Sequence, residues 1–191
     1  MDRKADITQM ASQLFKERGY HATSVRDIAQ ALNLKGSSLY SHIASKEEIL
    51  WEIVEGAARA FLHSAQAIPP NLPPDQKLKA LIHAHLNVIV ANLPDASVFF
   101  HEWQFLPETL SREITLKRDH YESYFRQAIH EGIEQGLFQV QDEHFANLFI
   151  FSSLNWLYQW YDPEGLLRLE QLSNLYTQMI FKSLNYQKLN H

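Results

Sequence analysis

Apolar residues recur through the first part of the chain with the spacing of amphipathic helices. Ile7, Leu14 and Phe15 fall at i, i+7 and i+8, which places all three on one face of a helix. Gly19 follows this face and is a typical residue for ending a helix in a left-handed conformation. The pattern therefore predicts a first helix that buries one apolar face and ends at Gly19.

Two further helices follow, and only a short turn separates them. Thr23 or Ser24 can cap the second helix, and Asn33 can end it in a left-handed conformation. The third helix begins near Gly36, is short, and buries Leu39. Two helices joined by a turn of a few residues, the second with polar residues at its start, describe a helix-turn-helix motif.

The rest of the chain also shows helical spacing. Ser45 can cap a long fourth helix that extends to about residue 67, where the segment "AIPPNLPPD" breaks it. Five more helices are predicted at about 75–92, 95–105, 108–135, 142–161 and 166–186. No alternation typical of β-strands persists anywhere, so the sequence predicts an all-α fold of about nine helices. We expect a DNA-binding domain at 1–47 and a helical ligand-binding and dimerisation domain at 48–191.

Polar residues crowd the short third helix, in the stretch "KGSSLYSHI". In a helix-turn-helix the second helix enters the major groove of DNA, and its first residues meet base edges. Lys35 suits phosphate or guanine acceptors, and Gly36 lets the backbone approach the duplex closely. Hydroxyl, phenol and imidazole groups suited to bases, sugars or phosphates follow at Ser37, Ser38, Tyr40 and His42. The helix starts at Thr23, Ser24 and Lys46 could bracket a phosphate.

Each of these assignments has a structural alternative. Ser24 can act only as a helix cap, and Tyr40 can be a packed core tyrosine. Lys35 and Lys46 can be merely solvated cations. Helix-turn-helix spacing alone does not decide between these alternatives, because any cluster of three helices has similar leucine positions.

Composition and charge restrict the class of protein. The formal net charge is −5, but residues 1–50 contain seven Lys or Arg against six Asp or Glu. Any contact with nucleic acid should therefore be local to the N-terminal region. Cysteine is absent, which fits a reducing cytoplasm, and neither a signal peptide nor an apolar run long enough for a membrane span is visible. We expect a cytoplasmic location.

Residues 4–51 resemble the DNA-binding region of the TetR family, the tetracycline-repressor-like regulators. The resemblance lies in "ASQLFKERGYHATSVRDIAQALNLKGSSLYSHIASKEEIL" and covers about a quarter of the chain. It implies an all-helical dimeric repressor, with three N-terminal helices for DNA and the remainder for ligand and dimer contacts. The DNA-facing positions that it implies are Thr23, Ser24, Arg26, Lys35, Gly36, Ser37, Ser38, Tyr40, His42 and Lys46.

The last two predicted helices are apolar on more than one face. A helix of this kind must be covered on both sides, by its own domain and by a partner. Stripes such as Leu148–Phe151 and Leu172–Tyr176 fit a bundle built from two helices of each subunit. We therefore expect a homodimer formed through residues 142–186, with Leu172 and Tyr176 on the exposed stripe. A purely internal core is the alternative.

Two segments of the C-terminal region resemble a branch of the TetR family that senses acyl-CoA thioesters. They are "NWLYQWYDPEG" (155–165) and "EWQFLPETLSREITLKRDHYESYFRQAIHEGIEQGLF" (102–138). An effector cavity should be apolar with a few polar groups. Aromatic walls are expected at Phe99, Trp103, Tyr121 and Tyr124, and Arg118 could meet a phosphate or carboxylate. The alternatives are structural tryptophans and a solvated or salt-bridged arginine.

Other functions find less support in the sequence. The "HAH" at 83–85 directs its two imidazoles to different faces of a helix, which is poor geometry for a metal site, so we expect neither metal nor cofactor. No nucleophile, phosphate-loop or dinucleotide motif is present, so we expect no enzyme. A TetR-type regulator responding to a free hydrophobic or aromatic compound and controlling efflux remains an alternative. A helical protein-binding adaptor is a more distant one.

Overall fold

The computed structural model describes residues 3–187, except for the side chain of Ser37. The described residues form ten α-helices and one 3-10 turn, and they contain no strand, so the all-α prediction is confirmed. The helices are α1 (Arg3–Arg18), α2 (Val25–Ala31), α3 (Gly36–Leu39), α4 (Lys46–Gln66), α5 (Pro74–Ala91), α6 (Leu93–His101), α7 (Glu108–Glu134), α8 (Glu143–Asn155), α9 (Leu157–Trp160) and α10 (Leu169–Ser183), and the 3-10 turn is Trp103–Phe105.

Packing groups the chain into two compact units. The first unit contains Met1–Arg59 and Asn92–Lys117, and the second contains Ala60–Ala91 and Arg118–His191. This grouping cuts α4 after Arg59 and places α6 with the N-terminal helices. Because these units follow packing contacts and combine segments that are distant in sequence, the domain boundary expected after residue 47 stays a prediction.

The predicted helix ends depend on local conformations that the structure contains. Gly19 has φ 85° and Asn33 has φ 54°, so both residues end their helices in the left-handed region as expected. Ser24 caps α2, and the Asp27 carboxylate accepts a hydrogen bond from the Ser24 backbone N–H at 2.7 Å. Ser45 caps α4 through its hydroxyl, which accepts from the Glu48 N–H at 3.1 Å.

The first unit is built around α1, which packs against α2 and α6. Phe15 and Tyr20 meet edge to face with ring centroids 5.2 Å apart, and both are buried with Ile28 and Leu39. The apolar face predicted for the first helix is therefore the one that the fold buries. It fixes the positions of α2 and α3 relative to α1.

The second unit contains a close approach between α7 and the segment that follows it. Gly132 lies against the Phe138 ring, and a Cβ atom at position 132 would overlap that ring. Phe138 is itself held by Phe181 and Tyr186, at centroid distances of 5.6 and 5.8 Å. The Tyr186 hydroxyl donates to the Asp75 carboxylate at 2.8 Å, which ties the segment just after α10 to α5.

Two predicted helices are divided in the structure. The helix expected at 142–161 is interrupted at Trp156, which ends α8 and precedes α9. The helix expected at 95–105 ends at His101, and the next turn tightens into the 3-10 geometry. These two interruptions explain why the structure has more elements than the expected nine.

An exposed apolar face lies on α8, α9 and α10. Leu175 and Met179 on α10 are exposed, as are Trp156 and Trp160. Leu172 was expected on this exposed stripe, but it is only 2% exposed and belongs to the core of the second unit. The expectation for Leu172 was wrong because its position on α10 faces the interior, while Leu175 and Met179 face outward.

Candidate nucleic-acid interface and effector region

The helix-turn-helix is formed by α2, a turn through Asn33, and α3. The Leu34 N–H donates to the Ala29 carbonyl at 2.8 Å, which closes the turn between the two helices. Leu39 and Ile43 are buried and hold α3 against α2. The side chains of Ser38, Tyr40 and His42 are exposed to solvent.

Several of the residues predicted to contact DNA share this open surface. Tyr40 is 57% exposed, so the core role that its sequence left open does not apply. The residues of the predicted set whose side chains are exposed are Ser24, Arg26, Lys35, Ser38, Tyr40 and His42. Gly36 begins α3, and no atom lies within 4 Å of a Cβ placed there, so this backbone is open to a close approach. The side chain of Ser37 lies outside what the structure describes.

Ser24 acts as a cap in addition to being exposed. Its hydroxyl accepts a hydrogen bond from the Asp27 N–H at 3.2 Å and also bonds the Asp27 carboxylate. These hydrogen bonds from Ser24 lower the pKa of Asp27 below its usual value. Asp27 is thus a carboxylate that stabilises the start of α2, which fixes the orientation of the first helix of the motif.

Thr23 and Lys46 differ from their expected roles. Thr23 was expected to face DNA, but it is fully buried, and its hydroxyl donates to the Gly19 carbonyl at 2.9 Å. Lys46 was expected to bracket a phosphate. Its Nζ instead donates to the carbonyls of Tyr20 and Thr23, at 2.9 Å each, and lies 4.1 Å from the centre of the Tyr20 ring. Both side chains therefore hold the turn between α1 and α2.

A buried polar pair lies among aromatic rings in the second unit. His85 Nδ1 and the Tyr121 hydroxyl are 3.0 Å apart, and both side chains are buried. The rings of Phe61, Phe125 and Phe151 surround His85, with centroid distances from 4.9 to 6.2 Å. Burial lowers the pKa of His85 to about 3, so the imidazole is neutral at physiological pH.

The predicted effector residues on α7 have different surroundings. Arg118 is half-buried, and burial lowers the pKa of its guanidinium while the nearby Glu122 carboxylate raises it. Tyr124 is not part of the cluster around His85. It lines a separate pocket of about 280 Å³, together with Lys77 and Glu131, whose ion pair measures 2.7 Å.

The other two predicted effector residues belong to the first unit. Phe99 on α6 is buried and meets Phe100 with ring centroids 5.3 Å apart, and Trp103 begins the 3-10 turn. The sequence did not single out His85, Phe61 or Phe151 as part of an aromatic cluster. The "HAH" segment was the sequence signal that could have indicated this cluster. Its two histidines have different partners, because His83 bonds Ser173 and His85 bonds Tyr121.

Comparison with protein-family models covers most of the chain. A model described as "Tetracyclin repressor-like, C-terminal domain" matches residues 71–184. A second model, described as "Bacterial regulatory proteins, tetR family", matches residues 7–53. The chain belongs to the TetR family. It is therefore related to DNA-binding transcriptional regulators and not to enzymes.

Individual TetR-family relatives match over nearly their whole length. The HTH-type transcriptional repressor KstR2 of Mycobacterium tuberculosis is 27% identical over 93% of this chain and 90% of that protein. The structure of PfmR from Thermus thermophilus is 33% identical, with a TM-score of 0.83 over 93% of this chain and 98% of that one. The structure of AibR in complex with isovaleryl coenzyme A and operator DNA is 25% identical, with a TM-score of 0.81 over 94% and 98%.

Two further features concern alternatives to this TetR-family assignment. Within residues 3–187, no three His, Asp or Glu side chains are grouped so that they could hold a metal ion. None of the helices in that range combines the length and apolar character required to cross a membrane.

The different environments of Lys35 and Lys46 lead to a prediction for DNA binding by this TetR-family protein. We expect Lys35→Met to reduce the salt dependence of operator affinity by about 0.9 in the log–log slope, because the phosphate contact predicted for Lys35 would be lost. Lys46→Met should lower affinity without changing the slope, since its Nζ holds backbone carbonyls. Fluorescence anisotropy across a salt series measures both quantities.

The control for this pair is Lys79→Met, which removes an exposed cation from α5 and should change neither quantity. A slope that falls for Lys46→Met would mean that its Nζ leaves the two carbonyls and reaches a phosphate in the DNA complex.

Proposed function

We propose that this protein represses transcription by binding a palindromic operator as a homodimer, and that an acyl-CoA thioester releases it. In this proposal the α3 helices of the two subunits occupy successive major grooves, about 34–36 Å apart. The dimer forms through residues 142–186, and the protein acts in the cytoplasm, where operator DNA is accessible. A regulator of this kind would respond to the accumulation of an acid that has been activated as its CoA thioester.

The exposed surface of the helix-turn-helix supports the DNA part of the proposal. Arg26, Lys35 and His42 supply cationic or hydrogen-bonding groups, and Ser38 and Tyr40 lie beside them. Phosphate contacts position a protein on DNA, and contacts to base edges select the sequence. Ser38, near the start of α3, is therefore the residue proposed to read a base, while Lys35, Tyr40 and His42 contact phosphates.

The exposed apolar face supports the proposed dimer. TetR-family regulators bind operator DNA as dimers, so each subunit needs a surface that packs against a second copy. Trp156, Leu175 and Met179 form an apolar area of the kind that marks interaction sites in soluble proteins. The same patch on both subunits gives a two-fold interface, and a two-fold protein reads a palindrome.

The aromatic cluster of the second unit supports an apolar effector with a few polar groups. His85 and Tyr121 place a hydrogen-bonded polar pair among phenylalanine rings, which is the usual character of a small-molecule site. Arg118, one turn before Tyr121 on α7, provides a cation that suits a phosphate of coenzyme A. The observation that carries the choice of a thioester is the likeness to AibR, whose structure contains isovaleryl coenzyme A and operator DNA.

Release requires that the effector bind one conformation of the dimer better than the other. A 100-fold preference corresponds to about 2.7 kcal/mol, and only this difference can shift the equilibrium. Helix α4 runs without a break from Lys46 in the first unit to Phe61 in the second. It is therefore the proposed lever between effector and DNA, and the effector would favour a spacing of the α3 helices that does not match the two half-sites.

The test is the release of a fluorescent operator by matched pairs of a CoA thioester and its free acid, across short, long and aromatic acyl groups. We expect a thioester to release DNA and its free acid to have no effect. Arg118→Ala should raise the thioester concentration needed for release by about 10- to 100-fold, because a charged hydrogen bond contributes about 1.5–3 kcal/mol. Operator affinity without effector should be unchanged.

The matched control is Arg126→Ala on the same helix, which removes an arginine paired with Asp119 and Glu122. This variant should respond to thioesters as the unmodified protein does. Release by free acids alone, or by no thioester in the panel, would reject the acyl-CoA proposal and favour a free hydrophobic effector. Failure to select any symmetric DNA site would reject the repressor proposal itself.

A further inference from the structure

An apolar groove runs between the exposed sides of α8, α9 and α10. We call it the Trp156 groove, and its main walls are Phe149, Trp156, Trp160, Leu175 and Met179. Its volume is about 560 Å³, which falls in the range of small-molecule pockets, so both a ligand and a protein side chain are possible occupants.

The segment between α9 and α10 presents an uncovered leucine beside this groove. Leu166 is 98% exposed, whereas its neighbour Leu167 lines the groove of its own chain. A tight turn precedes Leu166, because the Gly165 N–H donates to the Asp162 carbonyl and the Glu164 N–H donates to the Asp162 carboxylate, both at 3.0 Å. Leu166 is therefore held on the outer surface by a hydrogen-bonded turn.

We propose that Leu166 of each subunit enters the Trp156 groove of the other subunit. This inference rests on the dimer face proposed above and adds a reciprocal contact to it. In a two-fold interface the same patch of both subunits forms the contact. A projecting residue of one subunit can therefore enter a groove of the other, and the same contact occurs a second time with the subunits exchanged. The Trp156 groove and Leu166 belong to the same apolar face, and a second copy brings one to the other.

The nature of the groove favours a second copy over an unrelated partner. The groove walls are almost entirely apolar, and so is the residue proposed to fill them. Large aromatic side chains around a buried apolar anchor are typical of the strongly contributing centre of an interface. A TetR-family protein needs a second copy of itself to bind its operator, so this occupant is always available to the chain.

Cross-linking tests the contact directly, because the chain contains no cysteine. A tagged Leu166→Cys chain is mixed with an untagged Met179→Cys chain, and a short thiol-to-thiol cross-linker is added. We expect a covalent dimer that contains both chains. The matched control places the cysteine at Leu116, an exposed leucine of α7 in the other packing unit. Equal cross-linking from positions 166 and 116 would overturn the inference.

Dimer affinity supplies the second measurement. Leu166→Ala should raise the dimer dissociation constant by about 100-fold, roughly tenfold for each of the two leucines withdrawn from a groove. Leu116→Ala should leave the constant within about twofold, and sedimentation equilibrium measures both variants.

The outcomes separate this inference from the dimer proposal. A wild-type protein that stays monomeric at micromolar concentration would reject both. A stable wild-type dimer with no effect of Leu166→Ala and no cross-link from position 166 would reject only the Leu166 contact. An unchanged dimer together with lost thioester binding in Trp156→Ala would assign the groove to a small molecule and also reject the contact.

Discussion

Leu175→Glu combined with Met179→Glu is expected to give a folded monomer that no longer binds operator DNA specifically. Both side chains are exposed on α10, so the substitutions leave the core of each subunit intact. In the proposed dimer the same positions become buried, and each unpaired carboxylate would then cost several kcal/mol. Four such groups per dimer exceed what an interface can tolerate, so we expect specific DNA affinity to fall by at least about 1000-fold.

Light scattering and operator titration measure these two effects, and circular dichroism reports whether the subunit remains folded. Leu116→Glu, on an exposed position of α7, is the control and should remain a DNA-binding dimer. Leu172→Glu should instead unfold the subunit, because Leu172 lies in the core. A double variant that stays dimeric would place the interface on another surface.

Gly132→Ala is expected to be the most destabilising single methyl addition in the second unit. Alanine normally stabilises a helix relative to glycine by about 1 kcal/mol. At position 132, however, the new methyl group overlaps the Phe138 ring, which Phe181 and Tyr186 hold in place. Overpacking of this kind costs about 1–3 kcal/mol or more, so the melting temperature should fall by about 4–10 °C.

Gly56→Ala is the matched control, because Gly56 lies within α4 and no atom is found within 4 Å of a Cβ placed there. This variant should melt at a slightly higher temperature than the unmodified protein. Differential scanning calorimetry compares the two. Equal stabilisation by both alanines would mean that Phe138 moves aside at little cost, and that the close approach of α7 to the following segment is not a constraint.

The elements that could be predicted are those determined by neighbouring residues. Gly19 and Asn33 end their helices in the left-handed conformation, and Ser24 caps α2, because these effects depend on local backbone geometry. The helix-turn-helix could be located for the same reason. Prediction failed where tertiary packing determines the outcome. The helical repeat places Leu172 on the apolar side of α10, but it does not indicate whether the core of the same subunit or a second copy covers that side.

The site residues show the same division between local and long-range information. The exposure of Tyr40 follows from the shortness of α3, which is a local property. Lys46 instead donates hydrogen bonds to the Tyr20 and Thr23 carbonyls, and these bonds form only because α4 packs against the turn between α1 and α2. The surroundings of His85 could not be predicted, because its aromatic neighbours come from α4, α7 and α8. Sequence spacing on one helix cannot reveal such a cluster.

The exposed face of α8–α10 has a consequence for the amount of protein in a cell. A subunit without its partner exposes Trp156, Leu175 and Met179 to chaperones and proteases, whereas in the proposed dimer the second copy would cover them. Pairing follows mass action, so newly made chains are protected only once their concentration exceeds the dissociation constant. Turnover would then remove the regulator when it is scarce and spare it when it is abundant, which gives its steady-state level a threshold.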